Sequence, residues 1–452
     1  MVIGAGQAGP FLAVRLAESG MKTVLIERAH LGGTCVNDGC IPTKTMVASA
    51  RTAYVARRAA DYGVNIGGSV TVDMKAVKAR KDKIVNASVR GLTDWIGATK
   101  NLTLIWGSAR FSGDHEVTVG DRVLTAPKIF INTGGRPIVP DWPGLKGIPY
   151  LTNTSMMELD VLPAHLVIVG GSYIGLEFAQ MFRRFGSKVT VVEHGPRLVG
   201  REDTDVSDTI REILEAEGIA IHVGAEDIAV VKQGDGLRLT ANAAGGAVDV
   251  SGSHLLLAIG RLPNVEDLDP AATGIAQNER GYIRVDDALK TNVDGIWAMG
   301  DVTGHGAFTH TAYNDFEIVA GNLLDGDHRR VSDRVDAYAL YIDPPLGRIG
   351  MSEKEVRATG KPALMGIMPM TRVGRAKEKG ETLGFMKVLV DAESKRILGA
   401  ALLCTEGDEI VHSLLDLIYA RAPYTLVQRA MHIHPTVSEL IPTLMGELKP
   451  LA

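Results

Sequence analysis

The sequence predicts an α/β fold of two Rossmann-like dinucleotide-binding units followed by a smaller α+β unit. Three observations carry that expectation. A glycine-rich turn joins an apolar strand to an apolar helix twice, at Gly4 to Gly9 and at Gly170 to Gly175. Each turn is followed by a second strand ending in an acid, Glu27 and Glu193, the pattern of a βαβ nucleotide site. From about Val335 onward the nucleotide fingerprints stop and apolar strands alternate with polar turns.

Met1-Val2-Ile3 reads as a short strand running into Gly4-Ala5-Gly6-Gln7-Ala8-Gly9. Pro10 to Glu18 reads as a helix that Gly20 ends, and Thr23 to Glu27 as the next strand. Gly4 makes the tight turn, Gly6 admits a pyrophosphate, and Gly9 lets helix and strand pack, with the helix N-terminus facing the phosphates. Glu27 is placed to take ribose hydroxyls. Leu166 to Val169 repeats the pattern into Gly170-Gly171-Ser172-Tyr173-Ile174-Gly175. A helix to Phe185 follows, ended by Gly186, and then the strand Lys188 to Glu193. Ser172 replaces the middle glycine, which slightly hinders backbone approach. Two dinucleotide units imply two dinucleotides and electron transfer between them.

Three further buried strands end in glycine. They lead into Thr133-Gly134-Gly135, Gly260-Arg261 and Gly300-Asp301, and the carboxyl ends of strands are where α/β sheets bind ligands. In the last third, Phe385 to Val390 and Ile397 to Leu402 read as strands around a polar turn, and Glu409 to Ala420 as a helix. This part is a candidate for subunit association.

Composition narrows the function. Of 452 residues, 45% are hydrophobic and 22% charged, which excludes wholesale disorder. With 48 Lys+Arg against 53 Asp+Glu and no basic run, a nucleic-acid partner is not expected. No window approaches about 18 uninterrupted apolar residues, so no membrane span is expected. The N-terminus lacks the features of a secretory signal, and the expected compartment is the cytoplasm. The 51 glycines exceed the usual share of about 7% and fall in clusters, as backbone approaching ligands requires.

The reactive chemistry concentrates in Gly32-Gly33-Thr34-Cys35-Val36-Asn37-Asp38-Gly39-Cys40-Ile41-Pro42-Thr43-Lys44. In a chain without an export signal, a close cysteine pair is a redox element or half of a metal site. Positions five apart rise about 7.5 Å in a regular helix, beyond the usual reach of a disulfide. Bridging Cys35 to Cys40 therefore needs a distorted turn, which Gly39 can supply, and a helix start there would lower a thiol pKa. Cys-x4-Cys is unusual for zinc and no second pair exists, so no metal site is expected. Cys404, in an apolar stretch, reads as a buried core thiol. His432 reads as a bystander.

Over its whole length the chain resembles the class I pyridine nucleotide-disulfide oxidoreductases, which include glutathione reductase, dihydrolipoyl dehydrogenase and mercuric reductase. The resemblance rests on Gly4 to Gly9, Cys35 to Cys40, Gly170 to Glu177, Ala258 to Asn264, Gly300-Asp301 and His434-Pro435-Thr436-Val437-Ser438-Glu439. It implies an FAD domain over 1–148 completed by 266–334, an NAD(P) domain over 149–265 and a dimerisation domain over 335–452. It implies that electrons pass from nicotinamide to FAD, to a Cys35–Cys40 disulfide, and on to an acceptor. Cys40 would be the charge-transfer thiolate and Cys35 the interchange thiol. Lys44 would pair with Glu177 near the flavin and nicotinamide. FAD would be held by Gly4, Gly6, Gly9, Glu27, Gly33, Thr34, Ala109, Thr133, Gly134, Asp301 and His310, with Gly260 and Arg261 also on cofactor. The nicotinamide nucleotide would sit on Gly170, Gly175 and Glu193. His434, oriented by Glu439, would be the acid-base supplied by the other subunit of a homodimer. Pro435 suits the first position of a helix, leaving His434 just outside it.

Glu193 favours NADH by taking ribose hydroxyls and repelling a 2′-phosphate. His194, Arg197 and Arg201 keep NADPH as the alternative. Gly300 to Gly304, Pro344 to Met351 and Leu398 to Cys404 resemble the mercuric-reductase-like branch with the reactive-chlorine-resistance flavoproteins, whose acceptors include copper(II) and oxidised thiocyanate species. The expected acceptor is thus a disulfide, a small-molecule oxidant or a metal ion. Mercuric reductase proper carries a C-terminal cysteine pair, absent from Met445 to Ala452, so mercury reduction is not the first expectation. Dihydrolipoyl dehydrogenase is the alternative, and a redox-sensing flavoprotein a further one. Only three residues precede Gly4, where strands commonly run about 5–6. If Met1 is the true start, weakened FAD retention is expected.

Overall fold

The computed structural model describes residues 1–451. The first glycine turn sits at the carboxyl edge of a five-stranded parallel sheet. Its strands run in the order Ile296–Ala298, Ile129–Ile131, Val2–Ile3, Thr23–Glu27 and Leu102–Trp106. The short first strand spans two residues, with Val2 beside Leu25 and Phe130. It is apolar throughout because both faces of such a sheet are covered. The strand Ile296–Ala298 enters this sheet after the chain has built the second one.

The second sheet, also parallel, runs Ala220–His222, Lys188–Val192, His165–Val169, His254–Leu257. Its helix, Tyr173–Phe185, stops at Gly186, whose φ of 124° is open to glycine. That helix buries Phe178 and Phe182 almost completely, each worth roughly 1.5–3 kcal/mol relative to exposure. They pack in one apolar core with Met46 of the helix Cys40–Arg57 and with Leu346 and Phe385 of the C-terminal sheet. The cysteine helix is thereby fixed against the other two sheets.

The C-terminal part is a six-stranded antiparallel sheet, from Ala337–Leu340 through Leu346–Gly350, Ile397–Leu403, Phe385–Asp391 and Ala363–Pro369 to Lys449–Pro450. The helix expected over Glu409 to Ala420 is two helices, Gly407–Ile410 and His412–Tyr419, broken at Val411. A Cβ on Gly347 would stand 3.0 Å from that of Val411, so strand and helix meet closely at the break. Cys404 is buried, as expected, and burial pushes its thiol up to about 12. No helix among the described residues is long and apolar enough to cross a membrane.

Candidate active site

A cavity of about 630 Å³ opens along the carboxyl edge of the first sheet. It is lined by Gly4, Gly6, Glu27, Gly33, Thr34, Ala109, Thr133, Gly134, Arg261 and Asp301, together with Cys35 and Cys40. Gly9 lies behind this lining: a Cβ there would overlap the Gly4 carbonyl oxygen, so it serves the packing of helix on turn. A Cβ on Gly33 would lie 2.9 Å from Gly6 Cα, so two bare backbones meet in the cavity lining. Glu27 accepts hydrogen bonds from the backbone N–H of Ala5 and Ala29, each at 2.8 Å. Asn132, which belongs to no nucleotide fingerprint in the sequence, ties the turn to the sheet. Its Oδ1 accepts from Gly9 N at 3.0 Å and its Nδ2 donates to Met299 O at 2.9 Å.

Thr133 Oγ1 and Arg261 Nε, both buried on this cavity, have no hydrogen-bond partner among the described residues. Burial pushes the Asp301 carboxyl up, against the Arg261 guanidinium at 3.9 Å. A glycine cradle with unspent donors and acceptors suits a bound dinucleotide such as FAD.

A second cavity, about 450 Å³, lies at the second glycine turn and is lined by Gly171, Ser172, Glu193, Arg197 and Glu202 among others. Gly170 and Gly175 stand behind it. A Cβ on Gly175 would overlap the Gly170 carbonyl oxygen, and one on Gly170 that of Ala258. Glu193 accepts from the backbone N–H of Gly171 and, at 2.6 Å, of Gly195. Of the three basic residues downstream, only Arg197 lines the cavity, and its guanidinium donates to Thr204. His194 turns its Nδ1 to the Ala225 carbonyl at 3.0 Å. Gly260 has a φ of 130° in the loop that carries Arg261.

The cysteines stand where a short helix, Gly33–Asn37, hands over to the long helix Cys40–Arg57. The break is at Gly39, with φ −127° and ψ −118°, where a Cβ would lie 2.7 Å from the Thr34 carbonyl oxygen. The distorted turn expected of Gly39 is there. Both cysteines are free thiols, within hydrogen-bonding reach of each other. The Cys40 thiol is pushed down to about 6, first by its hydrogen bond from Cys35. Thr309, with Oγ1 at 3.2 Å from Cys40 Sγ, and the Lys44 ammonium act in the same direction, against burial. Cys35 is pushed up, chiefly because its proton is engaged by Cys40. Cys40 is thus the more acidic of the two thiols.

Lys44 Nζ pairs with Glu177 Oε2 at 2.7 Å and lies 4.6 Å from the centre of the Tyr341 ring. The other Glu177 oxygen accepts from Tyr341 N at 3.1 Å. This ion pair joins the cysteine helix to the helix of the second sheet. His310 is placed differently from the expectation. Its ring stacks on Phe308 and its Nε2 bonds the Ala337 carbonyl at 2.6 Å. The neighbouring Thr309 is the residue of that helix start whose side chain reaches Cys40.

His434 Nδ1 bonds Glu439 Oε2 at 2.8 Å, and the His434 side chain is 81% exposed. It does not line the cavity that holds Cys35 and Cys40. Pro435 is not the first residue of a helix, contrary to expectation. The 434–435 peptide is cis, and helical turns begin only at Ser438. His432 is engaged through Nδ1 with Ser438 O at 2.7 Å.

The family model described as pyridine nucleotide-disulphide oxidoreductase matches residues 1–315, and that of its dimerisation domain matches 337–445. The chain belongs to this family. Members use FAD and NAD(P)H, and this oxidoreductase is a flavoprotein of the same kind. Among its relatives is a probable pyridine nucleotide-disulfide oxidoreductase, RclA, of Escherichia coli K12, 37% identical over 99% of both chains. Mercuric reductase of Streptomyces lividans is 31% identical over 97% of this chain and 94% of its own. Dihydrolipoyl dehydrogenase of Haloferax volcanii is 30% identical over 98% and 94%. The solved structure of the HOCl-induced flavoprotein disulfide reductase RclA from Escherichia coli superposes with a TM-score of 0.89. It is 36% identical, with 98% of each chain covered. The resemblance to the branch containing mercuric reductases and reactive-chlorine-resistance flavoproteins holds.

Proposed function

We propose that this oxidoreductase takes electrons from NADH through FAD to the Cys35–Cys40 pair, and from there to a disulfide, an oxidant or a metal ion. The observation that carries the reading is the placing of Cys35 and Cys40, within hydrogen-bonding reach of each other, on the glycine-lined cavity, with Thr309 Oγ1 3.2 Å from Cys40 Sγ. The glycine-lined cavity, with Glu27 and Asp301, would hold FAD, which would supply two-electron transfer between the reduced nicotinamide and the Cys35–Cys40 disulfide. Reduction leaves Cys40 as the thiolate, held by Thr309 and Lys44, and Cys35 as the thiol. Glu439 holds His434 Nδ1, which leaves Nε2 free to take the Cys35 proton as that sulfur attacks the acceptor. With a disulfide acceptor the same nitrogen returns the proton to the departing thiolate; with copper(II) two ions would each take one electron as the Cys35–Cys40 disulfide re-forms, and the proton would pass to solvent.

The enzyme works as a cytoplasmic homodimer in this reading, and His434 acts on the cysteines of the partner subunit. Support comes from the dimerisation-domain match and from the exposure of Met431, Ile433 and His434 on one segment away from the cysteines. NADH is favoured because Glu193 faces the second cavity while His194 is engaged elsewhere. For the acceptor, copper(II) leads, since one solved structure of the 36%-identical Escherichia coli protein is its Cu(II) complex. Dihydrolipoamide follows from the dihydrolipoyl dehydrogenase relatives.

Subunit mixing tests the arrangement. Cys40→Ser and His434→Gln homodimers are each expected to be inactive, and hybrids of the two to regain one working site per dimer. Inactive hybrids would place cysteines and histidine of one subunit in the same site and end the proposal. NADH oxidation with copper(II) and with lipoamide then ranks the acceptors.

A further inference from the structure

Asp315 lies in the helix Thr309–Ala320, and its side chain is 1% exposed. A carboxylate so placed is costly unless its oxygens are engaged. The two oxygens are engaged in different directions. Oδ2 accepts from the backbone N–H of Gly300 at 2.7 Å, a buried bond. Oδ1 takes the guanidinium of Arg334, whose Nε donates to Asn314 Oδ1 at 3.0 Å. Arg334 belongs to the segment that leads into the C-terminal sheet. Burial pushes the Asp315 carboxyl up, and the Arg334 guanidinium and the Gly300 N–H act against it.

Gly300 precedes Asp301, which lines the first cavity. The turn between them is held from both sides. Asn132 Nδ2 donates to the carbonyl of Met299 at 2.9 Å, and Asp315 takes the next N–H along the chain. Gly300 stands at φ 72°, and a Cβ there would lie 2.8 Å from that same Asn132 nitrogen and 3.3 Å from Ala312 Cβ. Helix, turn and sheet therefore meet with no room for a side chain. The Asp315 charge also reaches Asp301, adding to the burial that pushes the Asp301 carboxyl up. Thr309, at the start of the same helix, reaches Cys40. The helix thus sets both the acid on the cavity wall and the hydroxyl at the thiol.

We propose that Asp315 is a positioning residue for the cofactor, fixing the Gly300–Asp301 turn so that Asp301 is in place to meet FAD. The inference rests on the assignment of the first cavity to FAD. An ion pair with Arg334 would by itself only stabilise the fold; the bond to Gly300 N is what gives the carboxylate a part in holding ligand. Without that bond the turn is free, and FAD must order it on binding. Weakening the bond therefore weakens binding.

Asp315→Leu removes both bonds, Asp315→Asn keeps a neutral acceptor for Gly300 N, and Arg334→Gln removes the ion pair alone. All three should lower Tm. The Kd for FAD, read from flavin released on dilution of the holoenzyme, should rise about tenfold in Asp315→Leu, about threefold in Asp315→Asn and less than about twofold in Arg334→Gln. Should Asp315→Leu not fold, the other two decide, since both lack the ion pair and they differ at Gly300. A Kd that merely follows Tm across the variants, or one that stays at the parent's value in both Asp315 variants, would overturn the inference and leave Asp315 a structural tie. Asp301→Ala is the control: retention of FAD equal to the parent's would remove the assignment of the first cavity, and the inference with it.

Discussion

Replacing Thr309 by valine removes the hydroxyl 3.2 Å from Cys40 Sγ while keeping the side chain's shape. A hydrogen bond to a charged group contributes about 1.5–3 kcal/mol. Cys35 remains the leading donor to the same sulfur, so the lower end applies, and about 1.4 kcal/mol moves a pKa by about one. Cys40 would then titrate near 7 rather than at about 6. A thiolate half formed at pH 6 in the parent would fall to about a tenth in the variant. The assay is the pH dependence of alkylation of the reduced enzyme by iodoacetamide. The rate at pH 6 should drop about fivefold while the alkaline plateau stays where it was. The sign follows from the depressed pKa: reactivity is present above it and lost as pH falls through it. A midpoint that does not move would refute the claim that Thr309 bonds the thiolate. A plateau that falls equally would point to blocked access.

Lys44→Met strands the Glu177 carboxylate, which is 6% exposed. Because Lys44 itself is a third exposed, the expected loss is about 2 kcal/mol, below the 3–5 of a fully buried pair, read from urea unfolding; Lys44→Arg should recover most of it. Gly9→Ala would drive a methyl into the Gly4 carbonyl oxygen, an overpacking worth about 1–3 kcal/mol or more, and flavin content after dialysis should fall well below that of the parent. Glu193→Ala removes both the ribose acceptor and the charge that repels a 2′-phosphate. The ratio of kcat/KM for NADH over NADPH should fall by at least about tenfold, and an unchanged ratio would place selectivity elsewhere.

What could be read from the chain was local. The strand Thr23–Glu27 and the helix end at Gly186 follow from an apolar run and a glycine a few residues long, and the structure has them there. Both glycine turns announce close backbone approach, and the cavities they line are where that approach is possible. What escaped depends on residues far apart. Spacing alone cannot tell which side chain at a helix start faces the cysteines; Thr309 does, while His310 is drawn to the Ala337 carbonyl by the strand beside it. The break at Val411 lies against Gly347, some sixty residues earlier, a contact that no local pattern announces. Pro435 looked like a helix start because proline is common there, but helical turns begin only at Ser438.

The central claim is that electrons from the nicotinamide reach Cys40 through the flavin. Anaerobic titration of the FAD-loaded enzyme with NADH, followed by visible absorbance, tests it most directly. A long-wavelength thiolate-to-flavin band is expected in the parent and should be lost in Cys40→Ser. Bleaching of the flavin with no such band in the parent would contradict the account, because the cysteines would then stand outside the electron path.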